Sequence, residues 1–341
     1  MNPMRLQKIM RRELDTLRRE GLITATKYAE LETQYPLHKW DFAALGRWLG
    51  VFGAISVAAG LFILGSKLFA LTLENLAIAL SLFIPLCFYL AFRFGHKGLT
   101  WTKRSLELLG AFAVIGLTFT LGLIFSSGSG NWPALLLIDL LILLPLAYFL
   151  RNALLLILTV IVFFTWFGGV TGYVSGWGAY FFGMNYPMRF LFAGLLMIGM
   201  AMIHRQAETD RLRSYEGFFK VWLSGGVFFS EMALWLMSLF GNYGSIFSRY
   251  LESAAELLLF NAIWVGFNVA LLVIGARLQL RMLRGYAITF FLIQAYTLYF
   301  WRVARHLGPV FAMFVAGAAT LALVVYFERQ RREHKSIAAS A

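Results

Sequence analysis

Charged residues are scarce in this sequence, and their scarcity excludes a soluble globular protein. Asp, Glu, Lys and Arg make up 14% of the 341 residues, whereas hydrophobic residues make up 60%. Soluble domains carry about 25% charged residues, so this chain has too little polar surface to cover a globule in water. Apolar runs long enough to cross a hydrocarbon core of about 30 Å recur between residues 48 and 327. The sequence therefore predicts an integral membrane protein.

Cysteine and the motifs of soluble enzymes are also nearly absent. The single cysteine, Cys87, has no second cysteine in the chain with which to form a disulfide. The five histidines lack metal-ligand spacing, and the chain contains no phosphate-binding glycine loop, no HExxH and no CxxC. We therefore predict a protein that is not an enzyme and that has no catalytic, cofactor-binding or metal site.

The hydrophobic pattern predicts an all-α polytopic bundle of about ten transmembrane helices within residues 48–327. Each apolar run approaches the roughly 20 residues that one helical crossing needs. The runs are separated by short polar or basic turns, which favours consecutive antiparallel helices. The predicted spans are 48–69, 74–93, 105–127, 132–150, 152–168, 187–204, 217–239, 253–276, 283–301 and 307–327.

Basic residues account for the net charge of +13 and predict the orientation of the chain. When the ten spans alternate in direction, 25 of the 30 Lys and Arg residues fall on one side and five on the other. Loops rich in Lys and Arg stay in the cytoplasm, so both termini, including the basic tail 328–341, are expected there. The charge is thus explained by membrane topology, and we predict no nucleic-acid partner.

The first 47 residues predict a short helical hairpin and linker on the cytoplasmic side. Apolar residues recur at helical spacing from Leu6 to Leu17, Gly21 can end the first helix, and Thr24 can begin a second. A segment of this length cannot bury a core of its own. Its apolar stripe must therefore rest on lipid, on the transmembrane body or on a cytoplasmic protein that binds residues 4–35.

Two parts of the chain resemble a known family. LRREGLITATKYAELE (17–32), with LGRWLGVFGAISVAAGLFIL (45–64), resembles the opening of bacterial membrane proteins grouped as domain of unknown function 2157. GAFAVIGLTFTLGLIFSSGSGNW (110–132) and LLPLAYFLRNALLLIL (143–158) resemble the central hairpin of that family. The resemblance covers about the first 170 residues. It implies a helical pair ahead of a multi-span domain, and it implies no activity.

The fourth and fifth spans leave an alternative open. Only Arg151 and Asn152 separate them, so the segment is either a very tight hairpin or one long broken helix with a kink at Pro145. The glycine- and aromatic-rich stretch that follows, residues 168–187, is predicted to be a loop lying in the outer interface of the membrane.

Small residues repeat every fourth position at the start of the first span. Gly46, Gly50, Ala54 and Ala58 therefore share one helix face, against which another helix can pack closely. The partner helix belongs either to the same chain or, in a homo-oligomer, to a second copy.

Several polar side chains are predicted to lie inside the membrane. Charged groups at the bilayer centre cost about 2.5–3.5 kcal/mol on insertion scales, so an acid there must face the protein interior, water or a cation, or be protonated. Interhelical hydrogen bonds are the simplest role for the amides, and a polar translocation path is the alternative. This candidate intramembrane polar site comprises Asp139, Glu231, Asn261, Asn268 and Gln294.

Ionic residues at the outer ends of the last three spans form a second candidate site. Basic residues on that side oppose the orientation rule, which suggests that nearby acids, lipid phosphates or a ligand compensate them. The members of this candidate outer-face ionic cluster are Arg249, Glu252, Glu256, Arg302, Arg305 and His306.

Three functional hypotheses follow from these patterns. The first is a multi-pass protein of the bacterial inner membrane with a scaffolding, sensing or assembly role, in contact with lipid and, through its N-terminal hairpin, with a cytoplasmic protein. The second is a small-solute or proton-coupled transporter that uses Asp139 and Glu231. The third is a lipid-modifying membrane enzyme, which depends on the outer-face cluster alone.

Overall fold

The computed structural model describes residues 13–18, 20–34, 49–57, 60, 72–126, 130–174, 180–210, 212–242, 254–300, 308, 310–318, 321 and 325. Within these residues the regular structure is helical apart from one isolated bridge between Phe181 and Met184. The predicted all-α class is therefore confirmed for this part of the chain. The principal helices are α1 (Ala25–Gln34), α2 (Leu73–His96), α3 (Thr100–Ile124), α4 (Pro133–Leu150), α5 (Ala153–Val174), α6 (Tyr186–Asp210), α7 (Phe218–Phe240), α8 (Ala254–Arg277) and α9 (Arg281–Leu298).

Seven of the described helices, α2 to α8, are long and apolar enough to cross a membrane. The chain is thus a multi-pass membrane protein. Helix α9 overlaps the ninth predicted span, but its first turn contains Arg281 and Arg284, which make it more polar, and it is not among the seven. The first and tenth predicted spans lie only partly within the described residues, so the total of ten stays a prediction.

The chain divides into two compact units, Met1–Gly130 and Asn131–Ala341. In the first unit, α2 and α3 form an antiparallel pair joined by a turn at Gly98, which has a φ of +78°. The helices approach closely because Gly110 has no side chain. A Cβ there would lie 3.0 Å from the ring of Phe88 and 3.3 Å from the Cβ of Cys87.

Near the N terminus, residues 13–18 and α1 are in contact. Gly21, between them, has a φ of +71°, and the Thr24 hydroxyl accepts a hydrogen bond from the backbone N of Lys27 at 3.3 Å. The Tyr28 hydroxyl donates to Asp15 Oδ1 at 2.6 Å, and the Arg18 guanidinium lies 4.8 Å from the centre of the Tyr28 ring. The predicted hairpin over 4–35 extends beyond the described residues.

The small-residue face of the first predicted span is described at two positions, Gly50 and Ala54. A Cβ on Gly50 would lie 2.6 Å from the Ser105 hydroxyl of α3, and Ala54 is buried. Gly50 therefore faces a helix of the same unit. Gly46 and Ala58 lie outside the described residues, and a homo-oligomer through this face stays a prediction.

In the second unit, α4 and α5 form a tight hairpin. Helix α4 ends at Leu150, Arg151 adopts the left-handed conformation (φ 53°), and α5 begins at Ala153 and packs back along α4. The side-chain oxygen of Asn152 accepts a hydrogen bond from the backbone N of Leu154 at 3.0 Å, which caps the new helix. The alternative of one long broken helix is excluded, and Pro145 lies inside α4.

Helix α7 is the centre of the second unit. It packs against α5, α6, α8 and α9, and the two pairs α6–α7 and α8–α9 are each adjacent in the chain. Half of the most apolar stretch of α7 is buried, the largest share among the seven candidate spans. Its buried apolar side chains include Leu223, Val227, Leu234 and Met237.

The backbones of α6 and α7 meet at a pair of glycines. A Cβ on Gly226 of α7 would lie 2.8 Å from the carbonyl oxygen of Gly194 and 2.9 Å from the backbone N of Ile198, both on α6. A Cβ on Gly194 would in turn collide with the Ser230 hydroxyl and lie 2.8 Å from the carbonyl oxygen of Gly226. Only glycine fits at either position, so the two helices pack with their backbones in direct contact.

The prediction of a loop over residues 168–187 is wrong for its first part, because α5 continues to Val174. The glycines there serve helix packing. A Cβ on Gly169 would lie 2.6 Å from the indole of Trp132, and a Cβ on Gly168 would lie 3.0 Å from the ring of Phe190. A glycine- and aromatic-rich sequence therefore marks a close helix contact here.

We expect Gly194→Ala and Gly226→Ala each to destabilise the folded protein by about 1–3 kcal/mol, because the added methyl group meets backbone atoms that cannot move aside. The thermal unfolding midpoint of the purified protein in one detergent measures the effect. Gly199→Ala is the matched control on α6, since a Cβ there meets nothing within 4 Å. Equal midpoints for all three variants would contradict the close approach of α6 and α7.

Candidate functional site

Helices α7, α8 and α9 share a line of polar side chains in the interior of the second unit. We call this line the polar seam and define it as Glu231 on α7, Asn261, Trp264 and Asn268 on α8, and Gln294 on α9. Four of these side chains are at most 3% exposed, and Asn261 is partly buried. The structure thus brings together four of the five residues predicted to form an intramembrane polar site.

Glu231 is fully buried and bonded to an indole. Trp264 Nε1 donates to Glu231 Oε2 at 2.6 Å, and the Trp264 ring is itself fully buried. The ring packs with Leu234 and Phe290, so the carboxyl group lies in an apolar surrounding on this side. Trp264 could not be predicted as a member of the site, because a tryptophan in an apolar helix gives no sign of which neighbour it faces.

The amides of the polar seam link the three helices through backbone carbonyls. Asn261 Nδ2 donates to the carbonyl oxygen of Ser238 on α7 at 3.1 Å and to that of Leu257 at 2.8 Å. Gln294 Nε2 on α9 donates to the carbonyl oxygen of Asn261 at 3.2 Å. Asn268 Nδ2 donates within α8, to the carbonyl oxygen of Trp264 at 3.2 Å. Side-chain donors thus join α8 to both of its neighbours.

Asp139 lies on α4, outside the three helices of the polar seam. Its side chain is fully buried, as is that of Glu231. Neither acid is therefore open to water in this structure.

Two asparagines and a glutamate link the end of α7 to the residues just before α6 and to the start of α8. Asn242 Oδ1 accepts from the backbone N of Asn185 at 2.9 Å, and Asn242 Nδ2 donates to the carbonyl oxygen of Gly183 at 3.0 Å. Asn185 Nδ2 donates to the carbonyl oxygen of Gly241 at 2.8 Å. Glu256 Oε1 accepts from the backbone N of Asn242 at 2.8 Å. We call Asn185, Asn242 and Glu256 the asparagine clasp.

One residue of the predicted outer-face ionic cluster, Glu256, belongs to the asparagine clasp. Glu256 anchors the start of α8 to the end of α7, and its carboxyl group lies against Gly241. The remaining members of the cluster, Arg249, Glu252, Arg302, Arg305 and His306, lie outside the described residues. Asn185 and Asn242 were missed, although an asparagine just before a helix and a Gly-Asn pair just after one are recognisable end signals.

A buried arginine lies beside the asparagine clasp. Arg189, in the first turns of α6, is 1% exposed, and its Nε donates to the carbonyl oxygen of Met184 at 3.0 Å. Its guanidinium carbon lies 4.5 Å from the centre of the Tyr186 ring and 5.5 Å from that of Phe181. Aromatic faces attract a cation at such distances, which helps to hold the charge at the end of the span.

The opposite end of α7 is capped by an acid from α6. Glu208 Oε2 accepts from the backbone N of Gly217 at 2.9 Å, and Glu208 Oε1 accepts from that of Phe219 at 2.7 Å. His204 Nδ1 lies 2.9 Å from the same carboxyl group. The first backbone N–H groups of a helix have no partner within it, and a carboxylate also interacts favourably with the positive end of the helix dipole.

Among the described residues, no group of three or more His, Cys, Asp or Glu side chains is placed to hold a metal ion. Comparisons with protein-family models, with curated proteins and with solved structures gave no significant match.

We expect Glu208→Ala to lower the stability of the folded protein by about 1–3 kcal/mol, because two N–H groups at the start of α7 lose their partner. Glu208→Gln should lose less, since the amide oxygen still accepts one bond. Thermal unfolding in detergent gives the comparison. Glu216→Ala is the control, as an exposed acid at the same end of the bundle. A loss for Glu216→Ala equal to that for Glu208→Ala would contradict the capping role.

Proposed function

We propose that this chain is a non-enzymatic multi-pass protein of the bacterial inner membrane with a scaffolding, sensing or assembly role, oriented with both termini in the cytoplasm. One observation carries the proposal. Four of the five side chains of the polar seam bond to a neighbouring helix, as in the bonds from Asn261 to Ser238 and from Trp264 to Glu231. A path for a solute needs polar groups that border open space, whereas these groups serve to hold helices together.

The N-terminal segment is the proposed cytoplasmic contact. Two of its large side chains, Leu14 and Tyr28, are buried, whereas Leu22 in the intervening turn is 67% exposed. The turn is held by the bond from Tyr28 to Asp15. An apolar residue fixed at an exposed turn suits contact with a protein, and residues 4–35 are the segment proposed to make it.

Deletion of residues 1–35 should remove the cytoplasmic partner of the protein while the membrane domain still inserts. Leu22→Asp should have the same effect, because a charge replaces the exposed apolar contact. Cross-linking in intact cells followed by purification of the full-length chain measures the partner. Glu13→Gln, an exposed change in the same segment, is the control. An unchanged set of partners and an unchanged phenotype in the deletion variant would remove the proposal.

A proton-coupled or small-solute transporter is the second candidate. Glu231 favours it, because a fully buried acid in the middle of a membrane-spanning helix costs stability and is often kept for function. In this reading Asp139 and Glu231 both take part in the transport step.

If the chain carries protons, Glu231→Gln and Asp139→Asn should abolish proton flux into proteoliposomes, measured with a trapped pH indicator. Glu216→Gln, the exposed control, should keep the flux of the unmodified protein. Flux that is the same in all variants would reject this candidate and leave the scaffolding proposal in place.

A further inference from the structure

Glu231 and Asn268 lie at the same depth in neighbouring helices. Helices α7 and α8 run antiparallel, since Asn261 contacts Ser238 and the later residue Trp264 contacts the earlier residue Glu231. Glu231 lies seven residues before Ser238, and Asn268 lies seven residues after Asn261. At 1.5 Å per residue, each is about 10 Å from the Asn261–Ser238 contact, in the same direction.

Three buried acceptor oxygens of the polar seam have no hydrogen-bond donor among the described residues. The nitrogen ends of Asn268 and Gln294 are identified by their contacts, because each donates to a backbone carbonyl, which can only accept. Their oxygen ends, Asn268 Oδ1 and Gln294 Oε1, have no hydrogen-bond partner among the described residues. The same is true of Glu231 Oε1. Buried acceptors without donors destabilise a fold, so a donor is missing from this place.

No positive charge contacts Glu231 within the described part of the chain. Its one hydrogen bond comes from the neutral indole of Trp264. A carboxylate without a counter-ion is unfavourable in the interior of a membrane protein, whereas a neutral carboxylic acid is tolerated.

The other ionisable groups on α7 and on the helices that contact it make no described bond to Glu231. They are Lys220 on α7, Asp139 and Tyr148 on α4, Tyr173 on α5, Tyr186, Arg189, His204, Arg205 and Glu208 on α6, Glu256 and Arg277 on α8, and Arg281, Arg284, Tyr286 and Tyr296 on α9.

We propose that Glu231 is a proton-binding site. In the folded protein its side chain is a carboxylic acid whose Oε2 accepts from Trp264 and whose Oε1–H donates to Asn268 Oδ1 at the same depth. The bound proton removes the buried charge and supplies a donor for Asn268 Oδ1 in one step, while Gln294 Oε1 keeps no partner among the described residues. This inference goes beyond the scaffolding role and requires no transport.

Infrared spectroscopy of the purified full-length protein in lipid tests the proposal. A protonated carboxylic acid has a C=O stretching band above the amide I band, and a carboxylate does not. The unmodified protein should show this band, and Glu231→Gln should lose the component that comes from Glu231. Asp139→Asn is measured in parallel, because Asp139 is also a fully buried acid and can contribute a band of its own.

Two further measurements show whether a lost band reflects the missing acid or a misfolded variant. Glutamine reproduces the shape and the hydrogen bonds of a protonated glutamate, so Glu231→Gln should unfold at the same temperature as the unmodified protein. Trp264→Phe removes the N–H bonded to the acid carbonyl. The band should then persist at a higher frequency, since that carbonyl loses a hydrogen bond.

Three results would overturn the proposal. One is a spectrum in which Glu231→Gln leaves the carboxylic acid region unchanged. Another is a frequency that Trp264→Phe does not alter. The third is a band seen only when sodium and potassium are removed from the buffer, since a metal cation would then occupy the site in place of the proton.

Discussion

The close approach of α6 and α7 at Gly194 and Gly226 is the contact on which the second unit depends. It brings the two backbones together and fixes α7 in the centre, against α5, α6, α8 and α9. Both ends of α7 are then held by side chains of other helices or loops, through Glu208 at its start and through the asparagine clasp at its end. With its position and rotation fixed, α7 presents Glu231 to Trp264.

Lipid as the surrounding solvent explains why the polar groups are arranged in this way. Hydrocarbon offers neither donors nor acceptors, so a polar side chain in a span needs a partner inside the protein. The amide nitrogens of the polar seam meet this need by donating to backbone carbonyls, and these bonds support the proposed scaffolding role. Glu231 needs more than an indole partner, and the proton proposed for it satisfies the same requirement.

Hydropathy predicts the class of the protein and the positions of most helices, because length and apolar content are properties of a single segment. The predicted spans 217–239 and 253–276 differ by one residue at each end from α7 (Phe218–Phe240) and α8 (Ala254–Arg277). Contacts between two segments could not be predicted from the sequence in this way. Trp264 bonds to Glu231, and Trp132 packs against Gly169. Both contacts depend on which helix faces meet, and the sequence of an apolar helix gives little sign of its buried face.

The central claim is that the middle of the second unit is closed to water, and thiol labelling tests it most directly. In a chain whose Cys87 is replaced by serine, Asn268→Cys places a thiol in the polar seam, and Ser214→Cys places one at an exposed position of the turn before α7. A membrane-impermeant thiol reagent is predicted to modify Ser214→Cys in the folded protein and Asn268→Cys only after denaturation. Equal labelling of both variants in the folded protein would contradict the claim and indicate an aqueous path to Glu231.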